Sequence, residues 1–493
     1  MTTAVNPIRK VDFPEWYQEV LTVADLAEHA PVRGCMIIKP NGYAIWEMMQ
    51  ARLDKKFKSL GVKNAYFPLF IPLSFLEKEA EHVEGFAKET AVVTHTRLEK
   101  GPDGKLIPAS PLEEPLVIRP TSETIIGASF AKWIESYRDL PMKINQWCNV
   151  VRWEMRPRLF LRTAEFLWQE GHTAHVTEEE GRAMALQMLD VYADFAENVL
   201  AIPVIKGEKS EGERFPGALN TYTFEAMMQD GKALQMGTSH FMGTNFAKAS
   251  DIKFLSKEGT RDYAYTTSWG VTTRMIGALV MVHGDDNGII IPPRIAPVQI
   301  ALIPFLMKEG DASEVMGYCK KLKEELEEAG HSVFLDEREM RAGEKSWDAI
   351  KKGYPLRIEV GAREMKEEKI ALYMRTKEKK EALFVSREEV VSKIPSVLDQ
   401  IHSDLYAKAL RYREANTVSV SSKGEFEEIF RQETNTCLFV VAPFKGDKAL
   451  EAKIQKEFGV TIRCIPHNNP PSNHSCLFTG QANAPLAVFA KSY

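Results

Sequence analysis

Excess positive charge is missing from this sequence: 63 Lys and Arg stand against 68 Asp and Glu, a formal net charge of −5 over 493 residues. Proteins that coat nucleic acid through unselective phosphate contacts need a broad positive field, so that class is disfavoured. A local basic surface for RNA remains open. Cysteine is scarce as well. Six are present and no two are spaced as Cys-x-x-Cys, which suits reduced thiols in a cytoplasmic protein and argues against a disulfide framework. Long apolar runs are lacking, since stretches such as Ala278–Val282 and Ile289–Ile291 are far too short to span a bilayer. Met1–Tyr17 carries Arg9, Lys10, Asp12 and Pro14 in place of the apolar core of a secretory signal. No internal repeat or low-complexity tract is evident.

What is present is the composition of a globular protein, 44% hydrophobic and 27% charged. The chain is too long for one core, because single cores rarely grow past roughly 250–300 residues. Its texture divides it in three. Residues 1–293 hold most of the unusual polar and aromatic clusters, with Gly101–Pro115 and Gly207–Gly217 reading as loops or hairpin excursions. Ile291–Pro297, with three prolines, reads as a linker. Residues 294–408 alternate between predicted strands, at Gln299–Phe305, Ser332–Leu335, Leu356–Val360, Ile370–Met374 and Leu383–Val385, and predicted helices. Val315, Cys319, Leu322, Leu326 and Ala329 fall at helical spacing with Gly330 as a stop, and a second helix is expected around Glu344–Lys352. This is an α/β module of ordinary domain size. A long helix is expected from Arg387 to about Arg413, Thr417–Gly424 reads as a second linker, and residues 409–493 form a last, smaller domain.

The chemistry concentrates around Arg152-Trp153-Glu154, which follows the mostly apolar or uncharged stretch Ile144–Val151 and is expected to continue it as a strand. An Arg and a Glu two positions apart on a strand point to one face, and by themselves suggest no more than a salt bridge. The residues that follow change that reading. Met155–Leu161 resembles a turn, and Arg162-Thr163-Ala164-Glu165-Phe166 leads into a second strand candidate, Leu167–His172. The resulting antiparallel hairpin carries Arg152, Glu154, Arg162, Glu165, Phe166, Trp168, Glu170 and His172. So many charged and aromatic groups would be costly in a plain core and make sense around a charged ligand.

The Arg-x-Glu, loop, Arg…Phe arrangement resembles motif 2 of the class II aminoacyl-tRNA synthetases. Gly61–Pro68, after the helix candidate Ile45–Leu60, is similar to motif 1, with Pro68 as its characteristic proline, and Gly270–Gly277 matches motif 3. Arg119-Pro120-Thr121-Ser122-Glu123-Thr124 resembles the amino-acid recognition loop of the prolyl-tRNA synthetases, and Trp168-Gln169-Glu170-Gly171-His172 is close to those of archaeal/eukaryotic-like type. The resemblance implies an α+β architecture. A class II catalytic domain, an antiparallel sheet flanked by helices and dimeric through motif 1, is followed by an α/β anticodon-binding domain and a small α/β C-terminal domain. It implies that Arg152 and Arg274 are catalytic. ATP would meet Arg152, Glu154, Arg162, Thr163, Phe166, Gln235, Thr238, Thr272 and Arg274. Proline would meet Thr121, Glu123, Arg152, Trp168 and His240. Mg²⁺ would accompany ATP. The partners implied are L-proline, tRNA(Pro) and a second copy of the chain, with no DNA and no membrane. The motif 2 loop, basic through Arg156, Arg158 and Arg162, would receive the acceptor end of the tRNA. Glu337–Lys345 and the Gly361–Lys366 turn are the places to look for anticodon readers.

Two departures qualify the resemblance. Only about one hundred residues separate the hairpin from motif 3, which leaves no room for the editing domain that bacterial-type prolyl enzymes insert there. Relatives often carry a four-cysteine zinc site near the C-terminus; here Cys476 keeps its place but Thr479 stands where a partner is expected. Cys464, His467, His474 and Cys476 offer an alternative tetrahedral set, but their spacing fits no standard zinc pattern, so the domain is expected to hold together by packing. Phe489-Ala490-Lys491-Ser492-Tyr493 matches the family ending, in which the terminal tyrosine tucks toward the catalytic domain. Two rival readings stay open: another specificity such as threonine, and a catalytically silent synthetase-like binder.

Overall fold

The computed structural model describes residues 3–77, 89–154, 156–305, 312–432, 437–469 and 473–493. Its centre is an 11-stranded sheet. In spatial order the strands are Thr417–Ser419, Phe439–Pro443, Leu486–Ala490, Thr461–Pro466, Val204–Glu208, Asn220–Met227, Ala233–Gly243, Tyr265–Thr272, Glu165–His175, Met142–Val151 and Lys63–Asn64. Neighbours run antiparallel except at the two ends, where Thr417–Ser419 and Lys63–Asn64 each pair in parallel. Helices cover this sheet. Glu178–Asn198 begins where the Thr177 hydroxyl accepts from the Glu180 N–H, and it carries Glu178, Glu179 and Glu180 in its first turn, where the helix dipole favours anions. Its buried residues include Met184, Met188, Tyr192 and Phe195, three to four apart, which gives the helix one apolar face for the sheet. Arg274–His283 is buried along nearly its whole length.

A separate five-stranded sheet, ordered Val333–Leu335, Ile300–Phe305, Leu356–Gly361, Lys369–Met374 and Leu383–Ser386, follows in the chain. Its strands lie within two residues of the expected bounds, and the helices Ala312–Glu328 and Ala342–Lys351 stand where helices are expected, the first beginning three residues before Val315. The long helix is observed at Val390–Ala415. Gly101–Pro115 proves to be the turn and most of the second strand of a hairpin, Val92–Lys100 against Leu106–Ile118.

Two expectations are corrected. Thr417–Gly424 is not a linker: Thr417–Ser419 is an edge strand in register with Phe439–Val441, and a helix begins at Lys423 behind the cap Ser422. A short polar edge strand carries little alternation, so its sequence resembles a loop. The strand before Arg152 also ends sooner than expected, at Val151. The Arg152 N–H donates to the Ala164 carbonyl and the Trp153 N–H to that of Glu89, so Arg152–Glu154 leave the ladder.

The C-terminal strands extend the catalytic sheet through the pairs Ile465↔Glu208 and Pro466↔Gly207. Beneath this join lies a buried ionic cluster. Glu225 meets the Lys209 ammonium at 2.8 Å and the Arg463 guanidinium at 2.9 Å, and also accepts from Thr223. Burial alone would raise the Glu225 carboxyl, but Lys209 and Arg463 outweigh it and bring it down to about 2. A group so depressed stabilises the fold above its ordinary value near 4.5 and loses that contribution as pH falls toward about 2. Glu225→Gln should therefore destabilise the protein at neutral pH by about 3–5 kcal/mol, because two cations lose their buried counter-charge. Denaturant melts at pH 7 and pH 3 check this, and the difference between variant and wild type should shrink at the lower pH.

Candidate active site

A cavity of about 450 Å³ opens over the middle strands of the large sheet. Its floor comes from Glu165–His175, Tyr265–Thr272 and Ala233–Gly243, whose register sets Trp168 opposite Thr272 and His240 opposite Ser268. Strand alternation puts Phe166, Trp168, Glu170 and His172 on one face, and all four line the cavity. Every residue expected at the site lines it too: Thr121, Glu123, Arg152, Glu154, Arg162, Thr163, Phe166, Trp168, Gln235, Thr238, His240, Thr272 and Arg274. Gly270 lies in this floor, where a Cβ would come within 2.8 Å of the Gln169 carbonyl oxygen.

The two arginines face this common space from different elements. Arg152 donates through Nε to the Pro120 carbonyl at 2.8 Å, and its guanidinium stands 5.6 Å from the Phe166 ring and 5.4 Å from that of Trp168. Burial lowers its pKa, while Glu123, Glu170 and Glu89 raise it. Arg274 opens the helix after motif 3 and donates to the carbonyls of Leu161 (3.1 Å) and Gln235 (3.3 Å). Burial first, and then the charges of Arg162 and Arg152, bring its pKa down to about 10. Cations that weaken one another in a buried space are stable only with anions to answer them, which marks the cavity as an anion site.

On one flank the Thr121 hydroxyl donates to the Glu123 carboxylate, which opens the helix Glu123–Trp133. On another, His240 is held at both ring nitrogens by the hydroxyls of Thr221 and Thr238, each at 3.0 Å, with the Phe215 ring 4.5 Å away. At the rim, Glu154 lies 3.6 Å from Arg162 and accepts from the Arg156 N–H.

Sequence reasoning missed the support beneath this site. Glu170 accepts from the Ser122 N–H (3.2 Å) and hydroxyl (2.5 Å) and from Gln146 Nε2 (2.9 Å), and it pairs with His172 at 3.0 Å. Gln146 in turn accepts from the Phe67 N–H in the motif 1 segment. The recognition loop is thus fastened through its middle residue, with Thr121 and Glu123 on either side of it lining the cavity. Lys209, Glu213 and Phe215 also reach the cavity, from a stretch that reads only as a loop. The zinc-type ligands are not brought together: Cys464 and Cys476 pack in different apolar clusters, and no group of three or more metal-binding side chains occurs among the described residues. Tyr493 does reach the catalytic sheet, where its hydroxyl donates to Asp230 at 2.6 Å and its N–H to the Ala233 carbonyl.

Comparison with known proteins accords with this geometry. Three family models match: the tRNA synthetase class II core domain (G, H, P, S and T) over residues 106–283, an anticodon binding domain over 299–396, and the prolyl-tRNA synthetase C-terminal domain over 426–493. The chain is 54% identical to Proline–tRNA ligase 2 of Anaeromyxobacter dehalogenans, with 100% of this chain and 99% of the relative covered. It is 52% identical to the Proline–tRNA ligase of Bdellovibrio bacteriovorus, again over 100% and 99%, and 52% identical to that of Rhodopirellula baltica, over 100% and 98%. With cavity, architecture and full-length likeness in agreement, the chain belongs to the proline–tRNA ligase family of class II tRNA synthetases.

Proposed function

We propose that the chain activates L-proline with ATP to prolyl-adenylate, releasing pyrophosphate, and transfers the prolyl group to the 3′ end of tRNA(Pro), releasing AMP. The observation that carries this reading is the convergence of Arg152 and Arg274 on one cavity beside Thr121 and Glu123. In the first step a proline carboxylate oxygen attacks the α-phosphorus, and the bond to the bridging oxygen of pyrophosphate breaks. Both reactants are anionic, so the barrier falls when fixed cations gather them and answer the charge that builds on the α-phosphate. Arg152 bridges carboxylate and α-phosphate, and Arg274 presses on the nucleotide from the opposite wall. Mg²⁺ enters bound to the triphosphate as part of the substrate. Phe166 stacks on adenine and Glu154 accepts from its exocyclic amine, while Arg162, Thr163, Gln235, Thr238 and Thr272 complete the nucleotide contacts. Glu123 and Thr121 take the charged secondary amine of proline, Trp168 supplies a flat wall for its ring, and His240 adds a further contact. No side chain is needed as acid or base for this step.

Arg162 lines the cavity, and the exposed Arg156 and Arg158 precede it on the same loop, suited to the phosphates of a tRNA acceptor end. We assign residues 1–293 to catalysis, 294–408 to the anticodon and 409–493 to a C-terminal domain, and place the enzyme in the cytoplasm as a homodimer joined through motif 1. No helix among the described residues is long and apolar enough to cross a membrane. ATP–pyrophosphate exchange with each amino acid in turn tests the reading. Exchange is expected with proline and not with threonine. Prompt exchange with threonine alone would overturn the specificity, and no exchange with any amino acid would favour a silent binder.

A further inference from the structure

The stretch Lys209–Phe215 is a turn that leaves the sheet after Val204–Glu208 and returns at Asn220–Met227. It places Lys209, Glu213 and Phe215 on the active-site cavity. Within it the Glu213 N–H donates to the Ser210 carbonyl, and its outer side is gripped from a distant part of the chain. Glu451 sits in the first turn of the helix Lys448–Phe458, which Asp447 caps. Its carboxylate accepts from the Ser210 hydroxyl at 2.6 Å and lies 3.4 Å from the Gly212 N–H. The fit is close: a Cβ on Gly212 would stand 2.5 Å from a Glu451 oxygen. Glu213 borders both the active-site cavity and a second space of about 140 Å³ between the turn and this helix. The root of the turn is held from the same part of the chain, since Lys209 and Arg463 share Glu225.

We propose that Glu451 is a positioning residue for the amino-acid side of the active site, acting from the C-terminal region by fixing the Ser210–Phe215 turn. The catalytic core holds the far end of the turn, where the Phe215 N–H donates to the Thr221 hydroxyl, and Glu451 holds its start at Ser210 and Gly212. Phe215 stacks against His240 at the end of this turn, so loosening Glu451 shifts that wall of the amino-acid pocket and leaves the arginine-lined nucleotide side intact. A carboxylate suits the task because it offers acceptors only, and both donors lie in the turn. This inference rests on the assignment of that flank to proline.

The test uses the full-length protein in proline-dependent ATP–pyrophosphate exchange. Glu451→Ala should raise the KM for proline about tenfold, the effect of losing hydrogen bonds to a charged acceptor, with kcat and the KM for ATP within about twofold of wild type. Glu451→Gln keeps an acceptor and should stay within about threefold. Ser210→Ala should shift the same constant in the same direction, and the Glu451→Ala/Ser210→Ala pair should be no worse than Glu451→Ala alone. A normally melting Glu451→Ala protein with unchanged KM for proline overturns the proposal, as does an equal rise for both substrates. If the wild type shows no proline-dependent exchange, the functional reading has failed instead. Amide exchange of residues 211–218 in Glu451→Ala then decides the role of Glu451: lost protection supports it and wild-type protection refutes it.

Discussion

Replacing Arg152 with alanine should abolish measurable adenylate formation, lowering kcat/KM in the exchange assay by at least about a thousandfold. Losing one preorganised donor at a developing charge already costs about a hundred- to a thousandfold in kcat. Arg152 has more to lose, because it serves two anions at once. Its Nε is committed to the Pro120 carbonyl, and its guanidinium lies against Phe166 and Trp168. The plane is therefore fixed on the cavity wall before substrate arrives. Arg152→Lys tests that geometry separately from charge. An ammonium cannot reproduce a fork held at Nε, so the lysine variant should recover less than a tenth of the lost activity. Exchange in Arg152→Ala within tenfold of wild type would remove this residue from the chemistry.

The parts of the site that were legible in the sequence share a physical character. Arg152, Phe166 and Trp168 stand out because charges and aromatic rings alternate along a predicted hairpin, where a core would be apolar. Arg274 is the exception, marked only by the resemblance of Gly270–Gly277 to motif 3. In the five-stranded module, periodicity located the five strands and the helices Ala312–Glu328, Ala342–Lys351 and Val390–Ala415 to within a few residues, while the short helix Ala362–Glu367 reads in the sequence only as a turn. What was hidden depends on partners far away in the chain. Glu170 looks like any strand glutamate until Ser122, Gln146 and His172 converge on it. The join between Thr461–Pro466 and Val204–Glu208 is backbone pairing, which leaves no mark on side-chain pattern. Glu451 is one of several acidic residues on helices of its region, and only the approach of Ser210 and Gly212 distinguishes it. Thr417–Ser419 was misread for a related reason, since an edge strand shows its polar face to water.

Glu123→Ala should raise the KM for proline about a hundredfold while moving the KM for ATP less than about threefold. The asymmetry follows from position. Glu123 starts a helix on the flank away from Glu154 and Arg162 at the rim, and its carboxylate already accepts from the Thr121 hydroxyl. A protonated secondary amine brings two N–H donors and a positive charge to that carboxylate. Truncating one partner of a hydrogen-bonded charge pair away from water costs about 2–5 kcal/mol, because the amine is then buried without its counter-charge. Glu123→Gln separates shape from charge. It retains an acceptor for Thr121 and for one N–H, so it should fall between alanine and wild type. The arginine clamp gives a further consequence. Glu123 is the first of the carboxylates that support the charge of Arg152, ahead of Glu170 and Glu89. Because Glu170 and Glu89 remain, Arg152 stays charged in Glu123→Ala, and kcat at saturating proline should fall far less than in Arg152→Ala. Equal losses in kcat for the two variants would mean that Glu123 acts through Arg152 and not through the amine.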